Sequence, residues 1–244
     1  MAEASPLRLL SCNIQAGSST RAYREYLTRS WSHVLPNGKR VNLDALAATL
    51  APFDIVGLQE SDPGSLRSGF DNQSDYLAER ARFPFRSHQS NRRLGRIASS
   101  GNALLSRHEP VELLDYALPG RIAGRGVLLA KFGEGETAWQ LAITHLSLGA
   151  RSRQLQLAFL GELLADAPRL VLMGDFNCAA DAAEMQALYR HTRLAPPTTP
   201  LHTFPSWAPV RALDHVLTAG FAVRDYRAIP AAGSDHLAVA IELA

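Results

Sequence analysis

The stretch RLVLMGDFNCAAD, residues 169–181, decides how the rest of the chain is read. Leu170 to Met173 is an apolar run of strand length. Gly174 stops it, and Asp175 and Asn177 follow on either side of Phe176. Alternate residues of an extended chain face the same way, so Asp175 and Asn177 share a side while Phe176 turns back into the core. A buried strand that ends in an acid and an amide delivers them to a sheet edge, where solvent, metal or substrate reaches them.

Similar short apolar runs recur at Leu7 to Leu10, Asp54 to Leu58, Ala103 to Leu105, Gly126 to Ala130, Trp139 to Ile143, Leu213 to Leu217 and Leu237 to Ile241. Their length and the glycine, proline and polar residues around them predict strands, several of them buried. Many finish on a titratable or metal-capable group: Asn13, Glu60, His145, Asp175 with Asn177, Asp214, and Asp235 with His236. Singly, each has a bland explanation as a turn residue, a solvated cap or a hydrogen-bonded interior histidine. Repeated from strand to strand, they make a site.

Helical periodicity appears at Leu43 to Leu50, where Leu43, Leu46, Ala47 and Leu50 fall on one face before Pro52. It appears again from Arg151 to about Leu164, with Leu155, Ala158, Phe159, Glu162 and Leu163 at helical spacing. A third helix is expected over Ala182 to Tyr189. Strands interleaved with a few helices predict a layered α/β protein. Residues 17–42, with Tyr23, Tyr26, Leu27 and Trp31 roughly on one helical face, and 67–101, with Arg92, Arg93 and Arg96, read as long connections. Connections of that length are more often functional than idle.

The chain has 244 residues, 46% hydrophobic and 20% charged. That suffices for one core, and a single domain over residues 1–244 is expected. No apolar run approaches a membrane span, and MAEASPLRLL lacks the basic start and apolar stretch of a secretory signal, so a cytoplasmic location is expected. The two cysteines, Cys12 and Cys178, make no disulfide framework and read as packing residues. A formal charge of +2 does not advertise nucleic-acid binding, although lysine stands only at Lys39 and Lys131 among the 25 basic residues. No obligate protein partner is evident.

Carboxylate and amide oxygens without cysteine clusters suit a hard cation, Mg2+ or Mn2+, rather than zinc. Such an ion beside histidines and acids is suited to hydrolysis of a phosphate ester: the metal neutralises the phosphate while a carboxylate aligns water. No Gly-x-x-x-x-Gly-Lys-[Ser/Thr] loop or Gly-x-Ser-x-Gly elbow occurs.

LRLLSCNIQ, FDIVGLQE, SGNALLSR, LAITHLSL, LVLMGDFN, RALDHVL and GSDHLAVAIEL, in this order, resemble the motifs of the endonuclease/exonuclease/phosphatase superfamily along nearly the whole chain. The resemblance implies a four-layer α/β sandwich of two packed, mainly antiparallel β-sheets flanked by helices. It also implies metal ligation by Asn13, Glu60 and Asp235, with Mg2+ or Mn2+ as the cofactor. Asp175 would orient or deprotonate water, Asn177 would hold water and phosphate, and His145 would contact the phosphate or act as an acid. His236 would contact the scissile phosphate, with Asp214 buried and paired to it. Asn102 and Arg107 would lie near the substrate phosphate, and Arg151 and Gln154 would join their helix to neighbouring loops.

Substrate is left open by these residues. A nucleic-acid substrate, as for a repair-type endonuclease or exonuclease, would use aromatic residues such as Phe204 and Trp207 in TFPSWAPVRALDH. A lipid head group or small phosphoester is the alternative, with peripheral lipid contact through residues 17–42. A catalytically silent binding module would be expected to lack one of the charged site residues, and none is lacking.

Overall fold

Alternation along the strands decides which side chains meet. The structure, a computed structural model, describes residues 6–14, 36–64, 72–94, 98–120 and 124–244, the side chains of 36–40, 90–94 and 98–100 excepted. Its first sheet holds β1 (Leu7–Asn13), β2 (Ile55–Ser61), β3 (Phe85–Leu94), β4 (Ala98–Ser106), β10 (Val223–Ile229) and β11 (Ala238–Leu243), in the order β10-β11-β1-β2-β4-β3. The second holds β5 (Glu112–Ala117), β6 (Gly126–Phe132), β7 (Trp139–His145), β8 (Leu170–Asp175) and β9 (Asp214–Ala219), in chain order. Pairs β1/β2 and β7/β8 are parallel and the other pairs antiparallel. A parallel pair needs a long crossover. Helix α1 (Pro36–Leu50) lies in the first and α3 (Ala150–Leu163) in the second.

Three apolar layers follow. Leu9, Ile55, Leu104, Ile143, Val171, Met173, Val216 and Val239 pack between the sheets. Leu10, Val56, Leu58 and Leu105 face outward onto α1 and onto α2 (Gln73–Ala81). Leu129, Leu172 and Leu217 face α3 and α4 (Gln186–His191) on the other side. This is the expected four-layer sandwich. Each fully buried leucine or isoleucine contributes roughly 1.5–3 kcal/mol, so polar side chains entering the middle layer must each be hydrogen-bonded to be tolerated.

Every strand expected from the sequence is present, and Leu46, Ala47 and Leu50 are buried as the first helical pattern predicts. Several expectations need correction. Residues 67–101 are no mere connection, since they hold α2 and the hairpin of β3 and β4; α2 starts on an Asn72 cap whose Oδ1 accepts from Ser74 N and Asp75 N. Strands β3, β5 and β10 also escape the apolar-run criterion. Each is an edge strand with one neighbour, and polar residues interrupt FRSHQSNRRL, ELLDYA and VRDYRAI. The helix expected over Ala182 to Tyr189 is a 3-10 turn, Ala183–Met185, followed by α4.

The face of α3 also differs from expectation. Leu155 is 53% exposed, whereas Arg153, Gln156, Leu157, Leu160 and Gly161 are buried. Polar Arg153 and Gln156 disguise the inward face, and Gly161 admits α4 closely: a Cβ there would stand 3.1 Å from His191 Cβ. The aromatic stripe at Tyr23, Tyr26, Leu27 and Trp31 lies outside the described residues. So do Arg96 and the side chains of Arg92 and Arg93, whose backbone belongs to β3. No helix among the described residues is long and apolar enough to cross a membrane.

Gly174 is required where β8 delivers its acid. Its φ is 150°, and a Cβ would lie 1.8 Å from the Thr144 carbonyl oxygen on β7. Gly174→Ala is expected to cost on the order of 3 kcal/mol, read as a lower urea midpoint; an unchanged midpoint contradicts this packing.

Candidate active site

Polar groups replace apolar ones at one end of the layer between the sheets. On β1, Leu7 and Leu9 give way to Ser11 and Asn13; on β7, Leu141 and Ile143 give way to His145; on β8, Val171 and Met173 give way to Asp175. Strand β9 runs the other way and begins with Asp214, two residues before Val216. Register sets His145 beside Asp175 and Asp175 beside Asp214. Phe176 turns into the opposite layer and is fully buried.

Hydrogen bonds join these groups. Asn13 Nδ2 donates to Asp175 Oδ2 at 3.1 Å, and His145 Nε2 lies 3.4 Å from the same oxygen. The Asn177 backbone N–H donates to Asp175 Oδ1 at 2.9 Å, while Asn177 Nδ2 donates to the Leu146 carbonyl at 3.0 Å. His236 Nδ1 donates to Asp214 Oδ2 at 2.7 Å, so Asp214 is buried and paired as expected. Thr203 Oγ1 donates to the same oxygen at 2.5 Å. Ser234 Oγ donates to the Asn13 carbonyl at 2.6 Å and accepts from His236 N at 3.0 Å, tying the segment before β11 to the end of β1.

Ligand-capable atoms of Asp175, Asp214 and His236 all lie within 4.8 Å of one another. Two carboxylates that close repel by about 3 kcal/mol at an effective dielectric near 20. Burial, then the Asp214 charge, push the Asp175 carboxyl up to about 7, with Glu60 adding to the rise and His236 and the Asn177 N–H opposing it. Burial also raises Asp235, whose Oδ1 is 4.0 Å from His236 Nε2. For His236, burial opposes the charged form but is outweighed by the hydrogen bond and charge of Asp214, with Asp175 and Asp235, and its pKa is pushed up to about 9. Burial, reinforced by the positive charges of Arg125 and His236, holds His145 well below the usual histidine range. The cluster is therefore an imidazolium among crowded acids.

A divalent cation suits this donor set. The oxygens are hard, the negative charge is crowded, and Asp214 Oδ1 is buried with no hydrogen-bond partner among the described residues. Glu60 and Asn177 adopt left-handed backbone, φ 59° and 54°; the third such non-glycine residue among those described, Arg82, ends α2. Glu60 sits where the β2/β4 register shifts between Leu58 and Ser61, a bulge that re-aims its side chain. Backbone of this kind costs on the order of 1–3 kcal/mol and clusters where function imposes it.

Of the two residues expected near the substrate phosphate, Asn102 stands on the Glu60 side of β4, between the pairings of Ala103 with Leu58 and Gly101 with Ser61, and Arg107 does not. Asn102 is fully buried, and its Nδ2 is spent on Gln89 Oε1 and on the Gly126 and Ile143 carbonyls, stitching β4 to the opposite sheet. Arg107 follows Ser106, which pairs with Ile55 at the start of β2, so it stands at the far end of the sheet from Glu60. Its guanidinium instead holds the carbonyls of Ala51, Arg82 and Phe53. Arg151 and Gln154 are exposed, and Arg153 and Gln156, two positions on with the same spacing, make the loop contacts. Thr203 gave no signal, standing 11 residues before its partner. Ser234 could have been found from its place immediately before Asp235 and His236. Cys12 and Cys178 are packing residues whose thiols burial pushes up to about 12 and about 11.

The profile of the Endonuclease/Exonuclease/phosphatase family matches residues 10–236. Among solved structures, a functionally unknown conserved protein from Enterococcus faecalis V583 superposes with a TM-score of 0.74 at 16% identity, covering 98% of this chain and 99% of that one. TDP2 of D. rerio, complexed with single strand DNA product, gives 0.71 at 16%, covering 99% and 100%. A mannosyl-6-phosphatase of Bacteroides thetaiotaomicron VPI-5482 gives 0.66 at 17%, covering 98% and 99%. At such identities the likeness establishes the fold. No curated protein sequence matches.

His215, beside Asp214, faces away from the cluster: its Nε2 donates to the Cys178 carbonyl at 2.8 Å, and its Nδ1 has no hydrogen-bond partner among the described residues. Burial holds the ring below its ordinary 6.5. A depressed histidine contributes stability that is present above the unfolded pKa and lost as pH falls below it. Between about pH 7.5 and about pH 5.5 the parent should therefore lose more urea resistance than His215→Gln, which keeps a donor without titrating. Parallel losses in the two proteins would show that His215 does not titrate in this way.

Proposed function

Because the chain belongs to the endonuclease/exonuclease/phosphatase family, we propose that it is a Mg2+- or Mn2+-dependent hydrolase of phosphate esters, a phosphodiesterase in which water attacks phosphorus. The observation that carries this reading is the convergence of Asp175, Asp214 and His236 within 4.8 Å, with Asn13, His145 and Asn177 bonded or adjacent to Asp175. Asn13, Glu60 and Asp235 are assigned to the metal, which when bound neutralises the phosphate and stabilises the leaving oxygen.

The chain's own groups supply the rest. Asp175, oriented by Asn13 and the Asn177 N–H and made more basic by burial, is placed to align the attacking water and take its proton. Asn177, fixed through Leu146, holds that water and a phosphate oxygen. His145, kept neutral, offers a hydrogen bond to the phosphate, and His236 offers the positive charge sustained by Asp214.

Substrate identity is the finer step. A nucleic-acid end and a small sugar phosphate both suit this chemistry, as the DNA product bound to the zebrafish protein and the activity named for the Bacteroides protein suggest. The deciding experiment offers abasic duplex DNA, single-stranded DNA, phospholipid and sphingolipid head groups, inositol phosphates and mannose 6-phosphate with and without Mg2+. One class should be hydrolysed, EDTA should stop the reaction, and Asp175→Ala or His236→Ala should lower turnover by about 10²-fold or more while leaving the fold intact. Hydrolysis by either variant at the parent rate rejects the assignment.

Asp175→Asn removes a crowded charge. The metal-free variant is expected to melt above the parent near pH 8, and added Mg2+ should raise the parent's Tm more than the variant's. Equal Mg2+ shifts would show that the Asp175 charge does not contribute to binding the ion.

A further inference from the structure

The hydrolysis described above leaves a buried arginine unused. Arg153 on α3 is 8% exposed. Its Nη1 donates to the Leu148 carbonyl at 2.5 Å and to the Ser147 carbonyl at 3.3 Å. Its Nε and Nη2 donate to Glu184 Oε1 at 3.0 and 2.6 Å. Gln156, the next residue on that face, accepts from Ser147 N and donates to Ser147 Oγ, both at 2.9 Å. The rigid fork of a guanidinium can hold two differently directed partners at once, which an ammonium cannot.

What it holds together is specific. Ser147 and Leu148 follow directly on His145 and Leu146, and Glu184 lies in the turn that follows the GDFNCAAD segment. These two loops meet at the reacting groups: Leu146 N donates to the Asp175 carbonyl at 2.9 Å, and the Leu146 carbonyl accepts from Asn177 Nδ2. Asn177 is itself held in left-handed backbone, so its amide direction depends on where that carbonyl stands. The bond to Arg153 holds the Glu184 carboxyl below the usual range, against the opposing effect of its burial. A buried ion pair adds little net stability, because desolvating its members offsets most of their attraction. What this pair supplies is position.

Resting on the phosphoesterase reading, we propose that Arg153, supported by Gln156, is a positioning residue for the reaction. By pinning Ser147–Leu148 to Glu184 it sets where Asn177 and His145 stand around Asp175. Groups that act only in the transition state are sensitive to such placement, and a shift of about 1 Å can cost about 100-fold in rate.

The test compares Arg153→Met, Gln156→Leu and Gln156→Glu with the parent, on whichever substrate of the panel the parent turns over. Glutamate at 156 still accepts from Ser147 N and from its hydroxyl. Arg153→Met and Gln156→Leu should lower kcat by about 10-fold or more with KM within about 3-fold, and Gln156→Glu should keep most of the rate. In the metal-free proteins, the Asn177 side-chain amide resonances should shift and broaden in the first two variants while the buried methyl resonances of Leu172 and Leu217 stay fixed. A folded Arg153→Met with kcat within about 3-fold of the parent, or with an unmoved Asn177 amide, overturns the proposal. Should Arg153→Met not fold, the contrast between the two Gln156 variants decides in the same way. A parent inactive on every substrate would sink the phosphoesterase reading instead, and the Asn177 resonances alone would then decide whether Arg153 places that side chain.

Discussion

Crowding of like charge in a water-poor seam is the constraint around which this molecule is arranged. Asp175 and Asp214 are neighbours in sheet register, so the pairing of β8 with β9 itself forces them together. Each surrounding feature answers that repulsion. His236 carries a proton beside Asp214, Thr203 donates to the same oxygen, and Asn13 and Asn177 donate to Asp175. Hydrogen bonds to a charged group are worth roughly 1.5–3 kcal/mol each. A few of them offset the repulsion between two acids that would otherwise separate.

The same logic explains where strain is kept. Apolar packing between the sheets favours regular strands, yet the groups that chemistry needs must leave the ladder at particular angles. Glu60 does so through a bulge and Asn177 through a left-handed turn, the latter held by the Leu146 carbonyl. His215 anchors the carbonyl of Cys178 from one side, and Arg153 anchors the Leu148 carbonyl from the other. The second layer of contacts is as built as the first.

Much of this was legible in the sequence. Buried strands show as apolar runs because both their faces pack, and the change from apolar to polar at their ends marks where the layer opens; Asn13, His145, Asp175 and Asp214 follow directly from that change. Edge strands β5 and β10 were not legible, because a strand packed on one face and wetted on the other carries charges that mimic loops. The inward face of α3 was hidden for a related reason. Arg153 and Gln156 are buried by virtue of partners far along the chain, and hydrophobic periodicity is blind to such partners. Arg107 illustrates the converse: membership of a motif says where the strand lies, not which end of it a side chain serves.

The two sheets repeat one plan. In each, a parallel pair spanned by a helix, β1/β2 or β7/β8, is flanked by antiparallel strands. Asn13 and Glu60 end the strands of one pair, and His145 and Asp175 end those of the other. The groups assigned to the metal and those assigned to water thus ride largely on separate halves, like jaws facing across a hinge of packed leucine, isoleucine and methionine. Sliding one half against the other by a fraction of a side chain changes the gap between them without altering any residue in either jaw. The alignment of the jaws is accordingly a property of the whole seam, set as much by Ile143 and Met173 deep within it as by the side chains at its mouth.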